Sequence, residues 1–413
     1  MRHQIRLALC AVIVGTVLLS GCGRQGNTTV VLWAHRVDVA AIVELYNAQE
    51  RGFKIEMRFV PDPAVAVRDG AALPDVIIAD SVANQSMADL FLPLGNIIDR
   101  GPIVRTRFYR QLLEGGRIGG RQRLLPLSFD LPAVMYRQSP ENGTLPEFAL
   151  HIDEIQSLAA EWNRTTENRV TRMGFAPRWD PEFLYVMGLT HGTGFRESSG
   201  AVVWDQELLR GSIEYARRWS VETNGGIAAE NAFTSRYGLD PKYQQLIRDR
   251  IRFAYISAGQ LFRFTDSQRA RINFRWIRGD AGIPVLESTV YAGIVQNGRN
   301  RSGAQDFLEW LFQPQNHIAI LESARGKRIP DFGIAGGFSS IPEVNERHLP
   351  RFYPALLGSI PREDALVFPP QVPLYWNAIR REVVQPWMTR EVSATPQPRP
   401  LAEEIRLWLL QRG

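Results

Sequence analysis

The stretch Leu124–Tyr136 (Leu-Leu-Pro-Leu-Ser-Phe-Asp-Leu-Pro-Ala-Val-Met-Tyr) constrains this chain more than any other. Ser128 and Asp130 are its only polar residues. Pro126 and Pro132 hold the residues before them out of helical geometry, so the stretch runs extended. An extended apolar run of this length is a buried strand or a crossing between two packed bodies. A carboxylate in its middle is either paired in the core or facing a polar cleft. We read the stretch as the first crossing between two lobes, with Asp130 looking into the cleft.

Length supports two lobes, because 413 residues exceed what one hydrophobic core usually organises. A hydrophobic content of 45% beside 22% charged residues is that of a soluble globular body. The net charge of +5 comes almost wholly from arginine, since Lys54, Lys242 and Lys327 are the only lysines. The arginines are scattered and form no run of five or six. The excess therefore reads as a solvated surface, and no nucleic-acid partner is expected.

The first residues carry an address. Arg2 and Arg6 form a positive region, and Leu7–Leu19 is apolar but shorter than the ~20 residues a membrane span needs. Leu19-Ser20-Gly21-Cys22 follows and resembles the lipobox of bacterial lipoproteins. That resemblance implies a signal peptide over 1–21, cleavage after Gly21, and a diacylglyceryl group on Cys22. The mature chain would then be a membrane-anchored lipoprotein, in the periplasm or at the cell surface, held by the polar tether 22–27. Cys10 lies in the segment to be removed. The mature body is thus expected to have no disulfide, no thiol nucleophile and no cysteine-bound metal.

Further along, Thr28–Trp33 reads as a buried strand. Val39, Ile42, Val43 and Tyr46 fall on one helix face after Asp38, an expected N-cap. Lys54–Val60 and Asp75–Asp80 are the next strands. Strand, helix, strand and strand again mean βαβ units and a largely parallel sheet, whose ligands sit beyond the carboxyl ends of the strands. His35, Arg36, Asp80, Ser81 and Asn84 occupy such positions. The rhythm restarts after the opening stretch. Helices are expected near Ile155–Trp162, Trp204–Glu222, Ala304–Leu311, Tyr375–Val384 and Leu401–Leu410. Strands are expected at Ile251–Ile256, Ile272–Ile277 and Ser288–Val295.

The order of these pieces resembles the family 1 extracellular solute-binding proteins of ABC importers, relatives of maltose-binding protein. The resemblance rests on the first strand ending in Val-Leu-Trp, on Leu73–Asp80, on Leu92-Pro93-Leu94 and on the extended Leu124–Tyr136. Ser302–Leu311 and the Pro373-Leu374-Tyr375-Trp376 helix start complete it. It implies an α/β, two-lobed periplasmic-binding-protein fold with a central ligand cleft and hinge crossings. It also implies lobe one over 28–132 plus 287–337, lobe two over 133–286 plus 338–413, and a second crossing at Glu287–Ile294. The partners implied are a small-molecule solute, carbohydrate first, and the transmembrane subunits of an ABC permease. No cofactor is expected, and the chain should be a monomer.

Sugar clefts need aromatic faces for the apolar side of the ring, with carboxylates, amides and guanidinium groups for the hydroxyls. Trp162, Trp219, Trp310 and Trp408 fall on helix core faces and read as structural. Trp179 lies in a Pro-flanked loop beside Arg178 and Asp180, and Trp376 opens a helix after Pro369–Pro373. The resemblance places both where stacking or ligand contact occurs. It also makes Arg36, Asp80, Asn84, Asp130, Asp180 and Gln260 ligand-binding candidates. Gln260 stands near a stacking position of the family but is not aromatic. The bland alternatives are a hinge carboxylate for Asp130, a helix cap for Asp80, and core or rim roles for the tryptophans. Besides sugar capture, two functions stay open. One is import of a non-sugar solute, an anionic one where Arg36 and Arg178 receive it. The other is a surface-anchored glycosidase using Asp130 and Asp180.

Overall fold

The computed structural model describes residues 28–68, 70, 72–138, 145–146, 148–167, 169–393 and 399–411. The expected leader, Cys22 and the tether lie outside the described residues.

Strand β1 (Thr29–Ala34) leads into helix α1 (Val39–Asn47), then β2 (Lys54–Phe59) and β3 (Val76–Ala79). Helix α1 buries Val39, Ile42, Val43 and Tyr46, the face its spacing dictates. Asp38 precedes it but does not cap it with its side chain, because that carboxylate binds Arg36 instead. Both β2 and β3 pair with β1 in parallel. Asp75 ties this region together, accepting hydrogen bonds from Val31 N at 2.8 Å and Asn300 N at 2.6 Å.

Next come α2 (Arg110–Gly115), β4 (Leu125–Phe129) and β5 (Pro132–Arg137). The second body is built from β6 (Ala149–His151), α3 (Ile152–Trp162), α4 (Pro181–Thr190) and α5 (Gln206–Arg218). It continues with α6 (Ile227–Tyr237), β7 (Ala254–Ser257) and β8 (Ile272–Arg278). The short β9 (Ile283–Pro284) precedes β10 (Val290–Ile294), α7 (Arg301–Leu311) and α8 (Pro314–Gly326). The remaining elements are β11 (Phe338–Ser339), β12 (Leu366–Val367), α9 (Gln385–Ser393) and α10 (Leu401–Leu410).

One sheet has the order β11-β4-β10-β3-β1-β2, the other β7-β5-β8-β6. Strands β4 and β5 lie in different sheets, with Asp130 and Leu131 alone between them. The opening stretch is therefore two strands joined by a crossing. A second crossing runs from β8 through β9 to β10. A third passes from β12 to the helical turn Trp376–Ile379. The three are laced together. Leu286 N donates to Asp130 O at 3.0 Å, Val285 N donates to Val367 O at 2.8 Å, and β9 pairs with β12 in parallel.

Two expectations need correction. The second lobe does not resume at 338. Strand β11 pairs with β4 in the first sheet, where Phe338 stacks on Phe129 with ring centroids 5.5 Å apart. Burying that ring pair against the first sheet outweighs a return at this point. The chain rejoins the second body from Trp376 onward, with α9 packing on α4. Nor is Tyr375–Val384 one regular helix. An α-helical turn (Trp376–Ile379) widens into a π-helical turn (Arg380–Val384) before α9.

Along one side the two bodies share a core. Phe262 of the second body stacks on Phe332 at 4.7 Å, and Trp276 of β8 meets Phe338 edge-on at 5.8 Å. Trp276 Nε1 also donates to Ser359 O at 2.7 Å. Separating the bodies at this seam would expose several large rings, so the seam acts as the pivot side of the fold.

Trp276→Ala should lower unfolding stability by about 3–5 kcal/mol, the cost of deleting a fully buried ring; denaturant titration measures it, and a loss under about 1 kcal/mol would show that the seam is not a shared core. Asp75→Ala, which leaves the buried Asn300 N–H and the half-buried Val31 N–H without their acceptor, should cost about 2–4 kcal/mol in the same assay, and Asp75→Asn should recover part of it.

Candidate functional site

Strands β1 and β3 end side by side, as their parallel pairing requires, and deliver His35, Arg36 and Asp80 to the same edge. His35 Nε2 lies 3.8 Å from Asp80 Oδ2. A small recess, with about 50 Å³ of free space, opens beside Asp80. Its walls come from the Asp80 loop, helix α2 through Gln111 and Leu112, the second crossing through Glu287 and Thr289, and the third crossing through Phe368 and Gln371. The site thus lies where both returning crossings pass the carboxyl edge of the first sheet, the position expected for a ligand of such a sheet.

The third crossing is fastened on both sides. Gln371 Nε2 donates to Gly115 O at 3.1 Å and Arg117 O at 3.0 Å, and its side chain also bonds Gln85. Its carbonyl accepts from Glu197 N of the second body at 2.9 Å. Prolines at 369, 370 and 373 stiffen the segment around it.

Behind the recess lies a buried polar cluster. Glu287 accepts from Tyr185 Oη at 2.5 Å and from Trp376 Nε1. Burial raises its pKa, while Arg380 and those two donors pull the other way. Arg380 pairs with Glu182 at 3.0 Å, and Gln385 Nε2 donates to the same carboxylate at 2.6 Å. Tyr255 Oη, close to Glu182, Asp180, Asp130 and Arg380, has no hydrogen-bond partner among the described residues.

Of the residues singled out by sequence, Asp80 alone lines the recess. Arg36 is nearby, but Asp38 holds its guanidinium in two-pronged contact at 3.0 and 2.7 Å. Burial acts to lower the Arg36 pKa, and the carboxylates of Asp38, Asp331 and Asp130 together more than offset it. Asn84 is 1% exposed and shapes the turn, donating to Ser81 O at 3.0 Å and accepting from Ser86 Oγ at 2.6 Å. Asp130 accepts from Leu131 N at 2.8 Å and Gly259 N at 3.0 Å. Burial raises its pKa against those bonds and one from Ser257, and the hinge-carboxylate alternative fits this geometry.

Asp180 caps α4 through Glu182 N at 2.9 Å, and burial raises its pKa too. Gln260 is exposed, but its side chain closes a capping box with Ser257. Trp179 is covered by the Lys242 ammonium, 4.3 Å from the ring centroid, and stacks on Phe233. Burial pushes the Lys242 amine down to about 8, with Asp180 opposing. Trp376 needs the plainest correction. It is 1% exposed, packs on Phe195 at 5.2 Å and donates to Glu287, so its ring belongs to the second core and has no free face.

Arg178, the second arginine of the anionic reading, is bound to buried Glu230 at 2.8 Å. Sequence reasoning missed Glu287, Thr289, Gln371, Tyr255 and Arg380. A signal existed for the first two, since both stand at the mouth of the second crossing. Gln371, a lone amide among prolines, also marked itself. Tyr255 and Arg380 sit in ordinary strand and helix patterns and had none.

No protein-family profile and no curated protein sequence matches this chain. Solved structures do. The sugar-binding protein MalE from the phytopathogen Xanthomonas citri aligns with a TM-score of 0.69 at 14% identity, covering 94% of this chain and 100% of that one. A cyclo/maltodextrin-binding protein complexed with maltotetraose aligns with a TM-score of 0.64 at 12% identity, over 94% and 98% of the two chains. CpMnBP1 with mannotriose bound gives 0.63 at 13% identity, over 94% and 100%. With the two sheets and three crossings, these likenesses establish the two-lobed periplasmic-binding-protein fold.

Proposed function

We propose that this chain is an extracytoplasmic solute-binding protein that captures a sugar or oligosaccharide between its lobes and hands it to an ABC permease. The carrying observation is the recess at Asp80. It joins carboxylates, a hydroxyl and amides to the apolar faces of Phe368, Pro369 and Pro370, beside the crossings that link the two bodies. That mixture suits a polyhydroxylated ring with one apolar face. The solved sugar-binding structures of the same fold support the reading.

Mechanically, ligand would bridge the first body and the crossings, and the lobes would close about the aromatic seam. The closed form is what a permease would recognise. No chemistry on the ligand is part of this reading. Asp130 and Asp180, the carboxyl pair a glycosidase would need, are engaged by backbone N–H groups. Anion capture loses its basis, because Arg36 and Arg178 are already paired with Asp38 and Glu230. The chain would act as a monomer.

The lipid anchor on Cys22 belongs to the same proposal, supported by Leu19-Ser20-Gly21-Cys22. Among the described residues no helix is long and apolar enough to cross a membrane.

Calorimetric titration with mono- and oligosaccharides should find a binder, and small-angle scattering should show a smaller radius of gyration on adding it. Absence of any sugar binder, or release of new reducing ends by the purified protein, would reject the proposal. Cells fed labelled palmitate should label the wild type in the membrane fraction. A Cys22→Ser variant that still takes up label would reject the anchor.

A further inference from the structure

Thr289 stands on the second crossing, is 4% exposed, and lines the recess. Its hydroxyl has no hydrogen-bond partner among the described residues. Leaving a buried hydroxyl unpaired is destabilising, and a ligand hydroxyl in the recess would remove that cost.

The charge around it is one-sided. Asp80 and Glu287 line the recess, and no arginine or lysine does so among the described residues. The Glu287 carboxylate is already engaged by Tyr185 and Trp376, and Arg380 lies behind it rather than in the recess. The Asp80 carboxylate has the His35 imidazole at 3.8 Å as its neighbour and keeps acceptor capacity toward the recess. An ammonium group there would gain a charge-assisted hydrogen bond. A carboxylate or phosphate would meet like charge and find no guanidinium or ammonium to receive it. Leu112, Phe368, Pro369 and Pro370 offer apolar contact to ring C–H groups.

Building on sugar capture, we propose that this recess is an anchoring subsite for one sugar residue, held by Thr289 Oγ1 and Asp80. It favours a sugar bearing a protonated amine over its neutral counterpart and excludes a carboxylated one. The ranking follows from the acid, and the dependence of every bound sugar on Thr289 follows from the unpaired hydroxyl.

The test is titration of the full chain with matched triplets: glucose, glucosamine and glucuronate; galactose, galactosamine and galacturonate; and the corresponding β-1,4 disaccharides. In a triplet that binds, the amine should bind about tenfold tighter than the neutral sugar, and the carboxylated member should give no heat. Asp80→Asn should erase the amine preference while the neutral sugar still binds. Thr289→Val should weaken all binding by about tenfold without lowering the melting temperature, and Thr289→Ser should restore binding. A carboxylated sugar binding as tightly as its partners, or wild-type affinity in Thr289→Val, overturns the subsite. Neutral sugars binding with no preference for the amine overturn its charge selectivity while sugar capture stands. Binding by no sugar of any series removes sugar capture itself.

Discussion

The carboxylate of Asp130 accepts the N–H groups of Leu131 and Gly259, and much of this architecture depends on that grip. Leu131 is the last residue before β5 in one sheet, and Asp130 follows directly on β4 in the other. Gly259 lies just past β7, the edge strand of the second sheet. One side chain therefore sets the distance between a crossing and the neighbouring strand end. The fit is close: a Cβ on Gly259 would lie 2.7 Å from Gly336 O and 2.9 Å from Asp130 Oδ2. Gly336, in turn, has φ +78°, and a Cβ there would fall 2.1 Å from the Arg36 guanidinium. Three backbone segments meet at this point, and glycine is what lets them approach.

That meeting point bears on how the bodies can move. The aromatic seam of Phe262, Phe332, Trp276 and Phe338 closes one side. The hydrogen-bonded lacing among the crossings adds stiffness near the hinge. Gln371 resists differently, through a few polar bonds to both bodies that water can replace. Rings that would be exposed to water are costly to separate, whereas exchangeable hydrogen bonds are not. Opening is therefore expected on the Gln371 side, where the recess lies, with the seam as pivot.

Much of the first body was legible in sequence, because hydrophobic periodicity reports burial directly. The face of α1 is buried residue for residue, and the extended Leu124–Tyr136 is two strands with a crossing inside it. The placement of 338–373 was not legible. Phe338 looks like any apolar residue until Phe129 is placed opposite it, a pairing of residues some two hundred positions apart. The site was harder for a related reason. Composition shows which groups are present but not which are already taken. Trp179 and Trp376 looked like stacking platforms because of their flanking prolines, yet Lys242 and Glu287 had claimed them. Asp180 and Gln260 sit where chain termini of helices need caps, and capping consumed them.

The same reasoning separates global charge from local charge. The chain is basic by +5, which on its own invites an anionic ligand. Near the cleft, however, Arg36, Arg178 and Arg380 each face a carboxylate, with Asp38, Glu230 and Glu182 as partners. Guanidinium groups paired in this way cancel locally and serve as struts. What remains unspent at the recess is an acid and a buried hydroxyl. A ligand responds to the field within about a Debye length, roughly 8 Å at physiological salt, rather than to the net charge of the chain. Here the two have opposite sign, because charges that hold the fold together are no longer available to the ligand.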